Sequence, residues 1–206
     1  MELIRGQYCI VREMEVADAA SIVEWRNRPD ASRWLVQWAP LTIQEHSAWF
    51  AKAIQQDLIF VFCDLTGNLV GTASLYDFDR HRTSAQCGRV CTIGTKSAST
   101  PLREGCYLIH RIAFEILKVQ RIYCNVSPHN YPSLFLTGLL GYIQEGFRRR
   151  HQLTPNGYKD VVEFGLFPDE FSVARRALEG MLYSHNSPPD LSSAASTIAE
   201  ALKRSR

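Results

Sequence analysis

No apolar run in the 206-residue chain approaches the roughly 18 residues that a membrane-spanning helix needs. Its start, MELIRGQYCIV, has no basic stretch followed by a long apolar one, so no secretory leader is expected. A cytoplasmic protein without membrane attachment is the expectation. The six cysteines (Cys9, Cys63, Cys87, Cys91, Cys106 and Cys124) form no C-x-x-C pair and mostly lie in apolar, strand-like runs. That pattern argues against a zinc site and for buried, reduced thiols, and no metal is expected. Charge of one sign is also lacking: the formal net charge is +2, which neither demands nor excludes a nucleic acid. The most informative gap is local. Between Gly94 and Gly105 the stretch CTIGTKSASTPLREGCYLIHRIAFEIL (Cys91–Leu117) contains no glycine. A strand, a polar loop and an amphipathic helix follow one another there. Such a junction holds phosphate on the unpaired first amides of the helix, and glycine normally lets the backbone come close.

What is present suits one folded unit with an appendage. Hydrophobic residues make up 46% of the chain, enough for a full core. Gln7–Glu13 reads as a first strand, followed by a helix from Val16 to Asn27 with apolar residues at helical spacing. A short helical piece over Asp30–Val36 is plausible after Pro29. Thr42 and Glu45 form a capping-box pair ahead of a second helix, which buries Trp49 and Phe50. Leu58–Asp64 and Leu69–Asp77 form a hairpin around a Gly-Asn turn, and Ser84–Gly94 is a third strand of that group. Then come a helix over Leu102–Lys118, a strand over Arg121–Ser127, a short helix, and two closing strands around Pro155–Gly157. Residues 1–168 are assigned to one domain and 169–206 to a helical appendage, which either packs on that domain or offers a dimer or partner contact.

This order, with the fragments WRN (Trp25–Asn27), EHSAWF (Glu45–Phe50), LVGTASLYD (Leu69–Asp77), AFEILKVQRIYCNV (Ala113–Val126), HNYPS (His129–Ser133), GLLGYIQEGFRRR (Gly138–Arg150) and NGYKDVVEFGL (Asn156–Leu166), resembles the GNAT acyltransferase superfamily. Within it the chain looks most like the branch of ribosomal-protein N-terminal acetyltransferases and amino-sugar N-acetyltransferases. The resemblance implies an α/β fold: a central mixed, mostly antiparallel sheet, splayed at the donor site and flanked by helices. It implies acetyl-CoA or another acyl-CoA as donor, held by Cys91, Thr92 and Ile93 at the splay, by the loop and helix start (Ser99, Thr100, Leu102, Arg103, Glu104, Gly105), and by Asn130 and Ser133. An amine would then attack the thioester carbonyl.

Three features of the family pattern are missing. The loop glycines fall on Ala98, Thr100 and Leu102, the leaving-group tyrosine on Thr137, and a strand carboxylate on Gln86. Hydroxyls of Ser97, Ser99 and Thr100 and the charges of Lys96 and Arg103 offer compensation, so an anion site of altered shape is expected, binding coenzyme A no tighter than about 10 µM. The same losses leave open an aminoacyl-tRNA or a carrier protein as donor, touching Arg111, Arg121, the Arg148–Arg150 run and Arg175, Arg176, Lys203, Arg204 and Arg206. A non-catalytic binding protein of the same fold is a further alternative. For the acceptor, Trp25, Arg26, Trp38, Trp49 and Tyr76 suit a small polar amine. His46 is the first candidate base, with Asp77 and Glu45 behind it. The expected function is transfer of an acyl group to the primary amine of a small molecule in a biosynthetic pathway; a homodimer is left open.

Overall fold

Residues 2–35 and 37–204 are described by the computed structural model. Eight strands form one sheet: β1 (Glu2–Arg5), β2 (Ile10–Glu13), β3 (Leu58–Cys63), β4 (Leu69–Tyr76), β5 (Ser84–Thr92), β6 (Arg121–Val126), β7 (Ile143–Thr154) and β8 (Gly157–Leu166). Their order is β1-β2-β3-β4-β5-β6-β8-β7, antiparallel throughout except for the β5–β6 pair. The LIFVFC run of β3 is buried along its whole length, as expected of a strand covered on both faces. The β3–β4 hairpin is closed by Asp64, whose Oδ1 accepts from the amides of Thr66 (2.9 Å) and Asn68 (3.0 Å), with Gly67 at φ +94°.

One face of the sheet carries α1 (Ala19–Asn27) and α3 (Ile43–Ala53), which bury Ile22, Trp25 and Phe50 against Ile59, Val61 and Cys91. Between them lies the single turn α2 (Pro29–Ser32), shorter than the piece expected up to Val36, a residue outside the described set. Thr42 and Glu45 form the expected capping box at the start of α3. The other face carries α4 (Ser99–Arg111), which runs on into a π turn over Ile112–Ile116. Helix α5 (Tyr131–Leu139) follows β6. The last two helices, α6 (Pro168–Tyr183) and α7 (Ser192–Arg204), send Phe171, Leu178, Leu182, Ala194 and Ile198 into the same core as Phe60, Leu108 and Ile109. The tail thus packs on the domain.

Two elements differ from expectation. The N-terminal segment is a hairpin, because the buried Glu104 carboxylate accepts the amides of Gln7 (2.7 Å), Tyr8 (2.7 Å) and Cys9 (2.8 Å) and so turns the chain between β1 and β2. Helix α4 begins at Ser99 instead of Leu102 and is preceded by a 3-10 turn over Lys96–Ala98. Pro101 is accommodated in its first turn, where no backbone N–H is required.

The sheet opens at β5. It pairs with β6 only at Ser84–Arg121, Ala85–Ile122 and Gln86–Tyr123, after which the two strands part. On its other side β5 is bulged: Thr72 faces Cys91 and Ser74 faces Gly88, so that Arg89 and Val90 oppose Ala73 alone. Arg89 takes a left-handed backbone, φ +54°.

Candidate active site

Where β5 and β6 separate, a cleft of about 440 Å³ runs between them. Its walls come from β5 (Gln86–Val90), β6 and the following turn (Cys124–Ser127), and α5 (Ser133, Leu136, Thr137), with Arg26 of α1 and Tyr76 of β4 on the other flank. Beyond Gln86 the β5 edge that faces β6 has no partner strand. Backbone donors and acceptors on such an edge are obligatory hydrogen-bonding groups, ready for an extended ligand. A Cβ at Gly88 would come within 2.8 Å of the Tyr76 hydroxyl, so a larger residue here would have to displace that ring.

Past the end of β5 lies the turn that leads into α4. Thr95 occupies the cap position of the 3-10 turn, yet its side chain caps no amide; its hydroxyl pairs with that of Ser97 at 3.0 Å. The first amides of the turn over residues 96–98 are thus left without a side-chain cap, as the leading amides of a helix have no intrahelical partner. Ser99 Oγ donates to Lys96 O (2.8 Å) and the Arg103 Nε donates to Ser99 O (3.1 Å), which folds the Arg103 side chain back along the helix start. A third cation, not expected from the sequence, is Arg28. It donates to the Ile93 carbonyl, pairs with Asp30 at 2.5 Å, and lies against Gly94.

The residues expected at the donor divide into two sets. Asn130 and Ser133 line the cleft, with Asn130 Oδ1 capping α5 through the Ser133 amide at 3.3 Å. Ser99, Thr100 and Arg103 stand at the helix start. The others face inward. Cys91 is buried beneath α1 and α3, Thr92 Oγ1 donates to Val70 O (3.0 Å), and the Ile93 amide donates to the same carbonyl (3.2 Å). Leu102 packs against Gly71, Gly105 against the Phe62 ring, and Glu104 holds the N-terminal turn. The physical reason is the earlier helix start, which puts the uncapped turn at residues 96–98 and Leu102, Glu104 and Gly105 on the sheet-facing side.

None of the three candidate bases lines the cleft. Glu45 is exposed in its capping box. Asp77 accepts from the Tyr123 hydroxyl at 2.5 Å and borders a separate surface hollow with Asp79 and Arg80. His46 is buried beside Trp49, ring centroids 5.2 Å apart, with Nδ1 unpartnered; burial and the nearby Arg26 hold it below the usual histidine range. Of the expected acceptor residues, Arg26 and Tyr76 line the cleft, Trp25 is core, Trp49 packs beside Arg89, and Trp38 is 65% exposed on another face.

The imidazoles of the cleft are not among the candidate bases that the sequence offered. His110 sits at its floor. Its Nδ1 lies 2.7 Å from Cys106 O, which only accepts, so Nδ1 carries the proton and Nε2 accepts from the Tyr142 hydroxyl at 2.8 Å. Burial lowers His110 to about 4 and raises Tyr142. His151, projecting from β7, is exposed and makes no hydrogen bond among the described residues. Thr137, in the family tyrosine's place, donates its hydroxyl to Ser133 O at 2.7 Å.

Four arginines of the expected basic patch form ion pairs. Arg111 is buried and pairs with Glu115 (2.8 Å), Arg148 with Glu163 (2.5 Å), Arg121 with Glu145, and Arg175 with Glu115 and Glu179. Arg206 lies outside the described residues. No group of side chains able to hold a metal ion occurs among the described residues, and no described helix is long and apolar enough to cross a membrane.

A sheet opened beside a bulged strand, with an uncapped helix turn at its mouth, defines an acyltransferase-type fold. The acetyltransferase (GNAT) domain model matches residues 9–142, and the chain belongs to that family. Acetyl-CoA is the co-substrate of the family. Among solved structures, a GCN5-related N-acetyltransferase from Brucella melitensis is 21% identical with a TM-score of 0.74, covering 87% of this chain and 84% of its own. Spermidine N-acetyltransferase from Vibrio cholerae, in complex with CoA and spermine, is 19% identical with a TM-score of 0.70, covering 80% and 98%. Ribosomal-protein-S5-alanine acetyltransferase from Vibrio fischeri is 18% identical with a TM-score of 0.69, covering 80% and 96%. No curated protein matches the chain.

Proposed function

We propose that the protein transfers an acetyl group from acetyl-CoA to the primary amine of a small molecule. The observation that carries this reading is the continuity of three features. These are the unpaired β5 edge beyond Gln86, the cleft beside it, and the uncapped turn over residues 96–98. A pantetheine arm fits an open strand edge as an additional strand-like ligand. A pyrophosphate suits the turn, where unpaired amides, the helix dipole and the charges of Lys96, Arg103 and Arg28 all favour an anion.

The amine nitrogen attacks the thioester carbonyl, the C–S bond breaks, and the thiolate takes a proton from water. His151 is the imidazole of the lining free to accept the proton lost by the amine. Coenzyme A is favoured over tRNA as donor because Arg111, Arg121, Arg148 and Arg175, four of the arginines that an extended nucleic acid would use, are paired with carboxylates. The test is release of free coenzyme A thiol from acetyl-CoA in the presence of an amine panel, with and without ribonuclease. Amine-dependent release unaffected by ribonuclease is expected; no thiol release from acetyl-CoA, with acylation of the amine appearing only when charged tRNA is supplied, overturns the reading.

A further inference from the structure

We infer that the acceptor is an amine that also carries a carboxylate, an amino acid being the smallest example, and that Arg26 binds that carboxylate. This rests on the acyl-transfer reading for the amine but on separate residues for the anion. The cleft lining contains Arg26, Arg89, His151 and Lys159, and among the described residues no Asp or Glu. Two of these charges are already engaged. Arg89 pairs with Asp57 at 2.6 Å and stacks on Tyr76 with its guanidinium 3.9 Å from the ring centre, while Lys159 donates to the Arg33 carbonyl at 2.6 Å. Arg26 has neither an ion pair nor a hydrogen bond among the described residues, and its Nε is buried without a partner.

A guanidinium whose Nε is buried without a partner, close to a second arginine, is costly unless a ligand supplies the counter-charge. Its planar fork matches a carboxylate with two parallel N–H···O bonds. Helix α1 fixes its position, since the neighbouring Trp25 is locked in the core under α3. A polyamine, the ligand named for the Vibrio cholerae neighbour, is of the wrong charge for this lining.

Two measurements test the inference. In the thiol-release assay, pools of amino acids, their carboxamides and spermidine serve as acceptors. The acids are expected to exceed the carboxamides by about 10- to 100-fold in kcat/KM, the scale of a charge-assisted hydrogen-bond pair. Arg26→Gln is expected to erase that preference through KM, and Arg26→Lys, which keeps the charge, to retain part of it. In the second, ligand-observed NMR follows binding of N-acetylated amino acids and the matching amides to the wild type and to both variants. Their thermal transitions are recorded to separate unfolding from lost binding. If acids bind in preference to amides while no amine is ever acetylated, the transfer reading falls and the anion site stands. Faster acetylation of spermidine than of any amino acid, equal binding of acids and amides, or binding of neither overturns the inference.

Discussion

At the scale of single residues, the most constrained side chain is Arg89. Its φ of +54° is one that L residues avoid, yet the Asp57 pair and the Tyr76 and Trp49 rings hold it there. Arg89→Ala loses the contacts and keeps the strain, whereas Arg89→Gly loses the contacts and relieves it. Urea denaturation is therefore expected to place Arg89→Gly above Arg89→Ala by about 1 kcal/mol. His110 makes a pH prediction. Burial holds its folded pKa at about 4, against an unfolded value near 6.5, so protonation favours unfolding. Its contribution is complete above pH about 6.5 and disappears as pH falls to about 4, a loss of about 3 kcal/mol at most. In His110→Gln that portion of the stability–pH curve is expected to flatten, and an unchanged slope would contradict a buried, neutral ring at this position. Neither residue was legible in the sequence. Arg89 lies in an ordinary strand pattern, and a histidine inside an amphipathic helix carries no mark of what its ring touches.

At the scale of elements, the helix α4 joins two distant parts of the chain. Glu104 satisfies three amides of the β1–β2 turn, and Gly6 leaves room for its carboxylate, since a Cβ there would come within 2.5 Å. Glu104→Ala strands buried amides and is expected to cost about 3 kcal/mol or more in chemical denaturation. Gly6→Ala is expected to cost less, because the carboxylate can shift. At the other end of the helix, Lys96→Ala and Arg103→Ala are each expected to raise the KM for acetyl-CoA about 3- to 10-fold with kcat unchanged. An equal fall in kcat would place these residues at the reacting atoms instead. The hairpin of β3 and β4, the Thr42 cap and the closing β7–β8 pair were readable because their signals are local: turn chemistry, a capping box and β-rich runs. Strand β1 was not, because what bends the chain before β2 is a carboxylate almost a hundred residues away. The helix start was misplaced because Pro101 reads as a boundary although it sits comfortably in a first turn.

At the scale of the whole molecule, the cleft gathers side chains from α1, β4, β5, α4, β6, α5, β7 and β8. Its chemistry is therefore the least local property of the chain. Family resemblance marked Asn130, Ser133, Arg26 and Tyr76 in it, while the candidate bases chosen from their neighbours in sequence lie elsewhere. A ligand spanning these elements ties them together. Acetyl-CoA at a hundred times its dissociation constant is expected to add about 2.7 kcal/mol of stability, which for a chain of this size is a rise of roughly 5–10 °C in the thermal transition. A transition that does not move with acetyl-CoA would remove the donor site. The six thiols extend this to kinetics. All are buried, and burial raises every one of them, so the native chain offers no ready thiolate. A chromogenic disulfide reagent added to a working sample thus reads coenzyme A first. Its slow later phases become a stopwatch for breathing of the fold. Cys87 and Cys124, at the parted strands, should react ahead of Cys9 and Cys106, and a bound donor should delay them.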